Sequence, residues 1–244
     1  MPKAEHEFTR KEMKGPDRFQ AIGRQAATWV AAHQRRIALA VVALIGVVAV
    51  AAGVAAWQRS RGEKAGALLY RALDVLDGLV TTAQVQEAAG RPVFHSVEEQ
   101  RKAVIAAAGD VRREYPSSEA ARTAALASGD AHLRLGEWDA AIADYQAFLK
   151  ETPANDSLRF GALDGLAHAQ EGKGNLDGAA QAFERLGAEA PFTKGRATLE
   201  RARVLAKAGK TDEAKKLLGS FPSDLKDPIL EAEARERLAR LGGK

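Results

Sequence analysis

Hydrophobic residues follow two different patterns along this chain of 244 residues. From Ile37 to Ala56 they form one continuous run that contains no charged side chain. In the rest of the chain apolar residues are mixed with polar ones, alanine is abundant, and alternating runs of β-branched residues are absent. The continuous run predicts a helix surrounded by lipid, and the mixed pattern predicts helices that pack through small residues.

The run from Ile37 to Ala56 has the length and the flanking residues of a membrane-spanning helix. At about 1.5 Å per residue it covers roughly 30 Å, the thickness of the hydrocarbon core of a bilayer. Arg35 and Arg36 precede the run and Trp57 follows it, as is typical of interfacial anchors. We predict an uncleaved signal anchor, because the run lies far from Met1 and is longer than a usual signal core; a cleaved signal peptide is the alternative.

The net charge of +4 belongs to the segment that precedes this run. Residues 1–36 contain eight Lys and Arg against four Asp and Glu, whereas residues 57–244 contain 28 of each. A body without a basic excess is not expected to bind nucleic acid. The basic residues of the tail favour a cytoplasmic N-terminus and a translocated C-terminal region, although the counts immediately beside the run are equal.

Two segments on either side of the run extend this prediction. Residues 17–34 place apolar side chains at helical spacing among basic ones, which fits either an interfacial helix or a simple lead-in to the membrane helix. In the membrane-proximal region 57–96, Arg59 to Val80 is expected to continue the membrane helix as the first layer of the C-terminal helices. Residues 81–95 are expected to form a long connection with Val93 and Phe94 exposed, as a disordered loop or a partner contact.

A repeated sequence pattern, with particular residue types at fixed spacing, follows this connection. It has a glycine, an alanine five residues later, a large residue four residues after that, and a closing proline. The pattern recurs after 38 residues, and a third, shorter copy follows. The copies are Gly136, Ala141, Tyr145 and Pro153; Gly174, Ala179, Phe183 and Pro191; and Gly209, Ala214 and Leu218.

This pattern is typical of a helix–turn–helix array. The glycine lets the chain reverse, the alanine lets the two helices approach, the large residue fills the space between them, and the proline ends the second helix. On these residues the chain resembles the tetratricopeptide-repeat proteins over about 97–219. It departs from the usual pattern at Ala125, His132 and Phe148, where tryptophan, tyrosine and a small residue are usual.

The resemblance implies an all-α fold, in which a single transmembrane helix is followed by a short tetratricopeptide-like helical-repeat solenoid at 97–226. A helix from Val97 to Glu114, closed by Tyr115 and Pro116, is expected as the second half of an earlier unit. A capping helix is expected at 227–244, with Asp227 at its N-cap and Pro228 in its first turn.

The residue types that carry chemistry are scarce. The chain has no cysteine, which excludes disulfides, thiolate metal sites and cysteine nucleophiles. Asp164 and His168 share a helix face, but no further ligand has a matching spacing, so no metal site is expected. No nucleophile elbow, phosphate-binding loop or dinucleotide motif is present. We expect no cofactor and no enzymatic activity.

A binding surface is what remains. In tetratricopeptide-repeat proteins the first helix of each unit lines a groove, and the resemblance carries this role over to equivalent positions of this chain. Their mixed character suits a protein or peptide, without the pattern of repeats that clamp a terminal carboxylate. The predicted groove residues are Leu126, Asp130, Leu133, Arg134, Asp164, His168, Glu171, Arg196, Leu199, Arg203 and Lys207.

The layout from about Asp17 onward, with the sequence TWVAAHQRRIALAV entering the membrane run, resembles one bacterial family. This is the ancillary subunit of the Sec translocon, a single-pass inner-membrane protein with periplasmic repeats. The resemblance implies translocon components or a periplasmic chaperone as partners. The sequence that starts at REYPSSEAARTAAL also resembles periplasmic repeat proteins of envelope assembly and of the Tol-Pal system. A scaffold that faces the cytoplasm is the third alternative, if the orientation is reversed.

Overall fold

The computed structural model describes residues 18–82, 90–221 and 227–243, with the side chains of residues 18–21 left out. The chain divides into two compact units, Met1–Arg59 and Ser60–Lys244. Over these described residues the fold is all-α, as predicted, apart from one pair of two-residue strands. The elements in chain order are α1 (Arg18–Leu76), β1 (Leu79–Val80), β2 (Val93–Phe94), α2 (Val97–Glu114), α3 (Glu119–Leu135), α4 (Trp138–Glu151), α5 (Arg159–Gly172), α6 (Leu176–Glu189), a 3-10 turn (Pro191–Thr193), α7 (Lys194–Lys207), α8 (Thr211–Gly219) and α9 (Pro228–Gly242).

The first unit consists, where it is described, of the N-terminal part of α1. Its apolar side chains are exposed, for example Leu39 at 71% and Val47 at 66%. Among the described residues one helix is long and apolar enough to cross a membrane, judged by length and composition, and it includes the predicted run 37–56. Residues 17–34 were predicted to be either an interfacial helix or a lead-in to the membrane helix. From Arg18 to Gln34 they belong to α1 without a break, and Asp17 lies outside the described residues.

The second unit begins with the last turns of α1. Ala65 and Ala72 of α1 are buried in a small cluster with Ala108 and Val111 of α2, so this part of α1 forms the predicted first layer. The helix ends at Leu76 rather than at Val80.

A side chain of α2 satisfies the C-terminal end of α1. The Nε2 of Gln100 donates to the carbonyl oxygens of Val75, Leu76 and Gly78, at 3.1, 2.9 and 3.1 Å. The last carbonyl groups of a helix have no partner within it, so this buried amide supplies what the backbone cannot. The chain then leaves the helical path and enters β1.

Two short strands lie in the described parts of the connection after α1. β1 and β2 pair in parallel, with Leu79 opposite Val93 and Val80 opposite Phe94. Phe94 was expected to be exposed, and this is wrong: it is 8% exposed. Its ring lies against Gly78, where an added Cβ would be 2.5 Å from Phe94 Cε2. Residues 83–89 of the connection lie outside the described residues.

The predicted helix pairs are present from α3 to α8. Gly136, Gly174 and Gly209 follow the first helix of each pair and have φ values of 75, 86 and 80°. This left-handed conformation is the one that glycine adopts at helix ends without steric cost. The predicted role of these three glycines in reversing the chain is confirmed.

Alanine and a large apolar residue form the core of each pair, as predicted. Ala141, Ala179 and Ala214 are fully buried, and the large residues Tyr145, Phe183 and Leu218 are at most 4% exposed. Full burial of one such side chain stabilises a fold by about 1.5–3 kcal/mol.

The last helix closes the stack. Asp227 Oδ1 accepts hydrogen bonds from the backbone N–H groups of Ile229 and Leu230, both at 3.1 Å, and Pro228 occupies the first turn. Ala234 is buried against the preceding helices, and Arg237 Nη1 donates to the carbonyl oxygen of Leu199 at 2.9 Å. The predicted helix with its Asp227 cap is therefore present.

Candidate functional site

A cavity of about 1160 Å³ lies on the side of the stack formed by the first helices of the pairs. The ends of α1 and α2 border it on one side, α3 and α5 form most of its wall, and Lys207 of α7 reaches it from the other side. We refer to this cavity as the groove. Eight of the predicted residues line it: Leu126, Asp130, Leu133, Arg134, Asp164, His168, Glu171 and Lys207.

The other three predicted residues lie elsewhere. Arg196 lines an adjacent cavity of about 550 Å³, which also includes Asp164 and His168. Arg203 lines a smaller cavity between α7, α8 and α9. Leu199 is 2% exposed and belongs to the hydrophobic core, so its assignment to the groove surface is wrong. Leu199 occupies the same repeat position as Leu126. In the third repeat, however, α9 lies beside that part of α7, and Arg237 donates to the backbone carbonyl of Leu199.

Asp130 is held in place by the core. Tyr145, which is fully buried, donates a hydrogen bond from its hydroxyl to Asp130 Oδ1 at 2.6 Å. Burial raises the pKa of Asp130, and the hydrogen bond from Tyr145 and the nearby charges of Arg134 and Arg101 act against that rise. Burial and the adjacent carboxylate also raise the pKa of Tyr145. The aromatic core of the first pair thus orients an acidic side chain of the groove.

Glu171 is the most strongly engaged acid of the groove. Both of its oxygens accept from Arg203, at 2.7 and 2.6 Å, and Lys207 Nζ lies 3.0 Å from Oε1. The hydrogen bond from Arg203 is the main reason that the pKa of Glu171 falls to about 2. A bidentate arginine–carboxylate pair is geometrically fixed, so α5 and α7 are joined at this edge of the groove.

His168 is placed by the core of the second pair. Its ring meets that of Phe183 edge to face, with centroids 5.5 Å apart, and its Nε2 lies 3.8 Å from Asp164 Oδ2. Each large core residue of the first two pairs therefore touches a groove side chain at an equivalent repeat position: Tyr145 touches Asp130, and Phe183 touches His168.

Three arginines of the two cavities are not engaged in this way. Arg101 and Arg134 of the groove and Arg196 of the adjacent cavity form no hydrogen bond and no ion pair with any residue that the structure describes. The Nε of Arg101 is buried and has no hydrogen-bond partner within the same ranges. The groove thus presents guanidinium groups, while its acids are mostly occupied.

Several residues of the two cavities were not predicted from the sequence. Arg101 was assigned to the second half of an earlier unit, and Leu73 and Leu76 to the membrane-proximal helix, yet all three line the groove. Phe160 lines the adjacent cavity and forms an edge-to-face pair with Phe192, with centroids 5.4 Å apart. Phe192 is 77% exposed. A phenylalanine directly after a helix-ending proline, in the polar turn PFTK, was a signal that could have been noticed.

The arrangement of charged and apolar side chains offers a surface for binding. Across the described ranges there is no group of three or more His, Cys, Asp or Glu that could hold a metal ion. Asp130 is hydrogen-bonded to a tyrosine and Glu171 is paired with basic side chains, and the apolar side chains between them offer surface for a peptide.

Comparison with known proteins agrees with the repeat fold. The family profile described as Tetratricopeptide repeat matches residues 123–154, which cover most of α3 and all of α4. No curated protein is detectably similar in sequence.

Two similar solved structures are of a kinesin light chain-like protein with nearly identical TPR-like repeats from Podosopora anserina. Their TM-scores are 0.48 and 0.46, and their identities are 16% and 17%. In both cases 58% of this chain and 77% of the other are covered. The tetratricopeptide repeat is a protein–protein interaction module, and proteins built from it are generally non-enzymatic scaffolds.

Proposed function

We propose that this protein is a membrane-anchored docking module of the bacterial inner membrane, whose repeats bind protein partners in the periplasm as an accessory of the Sec translocon or of periplasmic chaperones. The observation that carries the proposal is that one chain combines an apolar helix with a stack of repeats whose groove is lined by charged and apolar side chains. The choice of translocon or chaperone rests on the resemblance of the layout to the ancillary translocon subunit.

The apolar segment supports the anchoring part of the proposal. In the window that qualifies as a membrane span, none of the residues is buried inside the protein. Exposed valine and leucine on all sides of a helix are unfavourable in water at about 25 cal/mol per Å² of apolar surface. A bilayer covers such a surface completely, whereas the packed helices of the second unit do not need one.

Two weak contacts on one chain are sufficient for a docking function. A partner held by both the membrane helix and the groove experiences a high effective concentration for the second contact. We therefore expect the membrane segment Ile37–Ala56 and the groove to contribute jointly to the capture of a membrane-embedded complex.

A paired capture from bacterial membranes tests the function. The baits are the full chain and a chain in which residues 37–56 are replaced by an unrelated membrane helix of equal length, both crosslinked before solubilisation. We expect translocon components or a periplasmic chaperone with the first bait and reduced recovery with the second. Recovery of envelope-assembly or Tol-Pal proteins would support that alternative instead, and recovery of none of these would contradict the proposed accessory role.

The orientation is tested separately by thiol labelling. The chain lacks cysteine, so Ser157→Cys introduces a single reactive group at an exposed position of the loop between α4 and α5. We expect a membrane-impermeant thiol reagent to label it once the outer membrane is permeable. Labelling only after lysis of the inner membrane would place the repeats in the cytoplasm and support the reversed scaffold.

A further inference from the structure

We infer that the groove and its adjacent cavity select an acidic, internal peptide segment that carries a bulky apolar side chain. The apolar side chain would enter the cavity beside Phe160 and Phe192, and the carboxylates would meet Arg101, Arg134 and Arg196. This inference rests on the proposed docking function and names the chemistry of the partner.

The two cavities are lined by four Lys and Arg and four Asp and Glu side chains, and the two groups differ in how they are paired. Most of the acids lining them have close partners: Asp130 accepts from Tyr145, Glu171 is paired with Arg203 and Lys207, and Glu200 with Arg203 and Arg237. Asp164 has only the longer contact to His168. The arginines without close partners among the described residues are Arg101, Arg134 and Arg196.

Arg101 gives the most specific indication. Its Nε is buried, and no described residue accepts its hydrogen bond. Because the buried Nε is closed to solvent, an incoming carboxylate would bind the two terminal nitrogens of the same guanidinium, which lines the groove. Lysine at this position would not offer this two-point geometry.

The adjacent cavity provides the apolar part of the site. Phe160, Phe183, Leu186 and Ala197 contribute its hydrophobic wall, and the exposed ring of Phe192 extends that wall outward. An aliphatic or aromatic side chain inserted there would remove this surface from water. Arg196 lines the same cavity and provides the cation for a carboxylate next to that side chain.

Gly161 connects the two parts. It lines both the groove and the adjacent cavity, and an added Cβ would have no neighbour within 4 Å. Glycine in the interior of a helix does not stabilise it, so a larger residue is compatible with α5 at this position. The absent side chain leaves the passage between the charged groove and the apolar cavity open.

Fluorescence anisotropy with the purified full chain in detergent tests the inference. The probes are short peptides blocked at both ends, with one leucine or phenylalanine flanked by glutamates. Matched peptides replace the glutamates by glutamine or lysine, or the apolar residue by serine. We expect the acidic peptide to bind about tenfold more tightly than the glutamine peptide, and the difference to shrink as salt is raised.

Variants of the protein locate the binding site. Arg101→Gln, Arg134→Gln and Arg196→Gln should each weaken the acidic peptide about 3- to 10-fold, as expected for loss of a charge-assisted hydrogen bond. Gly161→Leu should reduce binding of all apolar peptides because its side chain closes the passage. The matched controls, Arg122→Gln on another face of α3 and Gly109→Leu in open space on α2, should leave binding unchanged.

The results that would contradict this inference differ from those that would contradict the proposed function. Equal affinity for acidic, neutral and basic peptides, or an unchanged affinity in the three arginine variants, would overturn the inference. Binding only when the peptide has a free C-terminal carboxylate would also overturn it, in favour of a terminal clamp. If the peptides bind as expected but the membrane capture recovers no translocon or chaperone component, the proposed accessory role is contradicted while the peptide chemistry stands.

Discussion

The first two helix pairs place different side chains at the same core position, and the two surroundings differ accordingly. Tyr145 and Phe183 are 38 residues apart, and both are almost completely buried. Tyr145 lies between two glycines: an added Cβ would be 3.0 Å from its ring at Gly129 and 2.3 Å at Gly165. Phe183 instead meets the ring edge of His168 and borders the 550 Å³ cavity.

The hydroxyl group accounts for the difference. It extends the side chain toward α5, where only a glycine leaves enough room, and it requires an acceptor, which Asp130 provides. Phenylalanine is shorter and has no such requirement, so Glu200 is accommodated on α7 at the position that corresponds to Gly165. In the first helix pair the space around Tyr145 is filled and the tyrosine fixes Asp130, whereas in the second pair Phe183 borders a cavity.

Removal of either aromatic side chain should have the largest effect. Tyr145→Ala and Phe183→Ala each leave a cavity between fully packed helices, at a cost of about 3–5 kcal/mol in the free energy of unfolding. Tyr145→Ala should be at the upper end, since Asp130 also loses its donor. Urea unfolding of residues 60–244 measures both, with the exposed neighbour Gln146→Ala as the control. A loss for Tyr145→Ala no greater than that of the control would contradict the assigned core.

The space around Tyr145 is tested by adding one methyl group. In Gly165→Ala the new Cβ would lie 2.3 Å from Tyr145 Cζ and 2.4 Å from its hydroxyl oxygen, so the ring has to move. We expect a loss of about 1–3 kcal/mol from overpacking. Gly161→Ala, one turn earlier on the same helix and in open space, should instead stabilise the helix by about 0.5–1 kcal/mol. Equal effects of the two substitutions would show that the close approach is not restrictive.

The sequence was sufficient for the features set by local chemistry. The turn glycines, the core alanines, Tyr145 and the Asp227 cap each have a local signal, because left-handed backbone, close helix approach and capping restrict the residue type directly. Contacts between segments that are distant in sequence had no such local signal. Arg101, the burial of Phe94 and Leu199, and the fit of Tyr145 against Gly165 depend on which distant segment lies alongside, and a repeat period does not encode that.

Acidification should destabilise the contact between α5 and α7 before it affects α3 and α4. The pKa of Glu171 is about 2 in the folded protein, well below that of an unpaired carboxylate, chiefly because of Arg203. Its stabilisation is therefore complete above the unfolded pKa and lost as the pH falls toward 2. After allowance for solvent screening we expect Glu171→Gln to cost about 1–2 kcal/mol at neutral pH and to flatten the acid limb of the stability curve.

Hydrogen exchange at each pH locates the effect of Glu171. Protection should fall first in α5 and α7, while α3 and α4 keep theirs. The control is Glu184→Gln, which breaks an exposed pair with Arg201 and should have little effect. An acid limb that is the same in Glu171→Gln and in the unaltered chain would show that this carboxylate does not control the acid response.

The smallest effect should come from removing the hydroxyl alone. Tyr145→Phe gives the first helix pair the same core residue as the second. Asp130 then loses a hydrogen bond, at a cost of about 1 kcal/mol in the free energy of unfolding. Because burial already raises the pKa of Asp130 and the hydroxyl opposes that rise, the substitution should move this pKa further upward. A carboxyl group with a raised pKa destabilises the fold when ionised, so stability falls as the pH rises through that pKa. The difference between Tyr145→Phe and the unaltered chain should therefore be full at neutral pH and shrink on acidification. Carboxyl carbon NMR titration measures the pKa of Asp130, with the exposed Tyr70→Phe as control. A loss of stability that is independent of pH would mean that the hydroxyl contributes packing rather than orientation of Asp130.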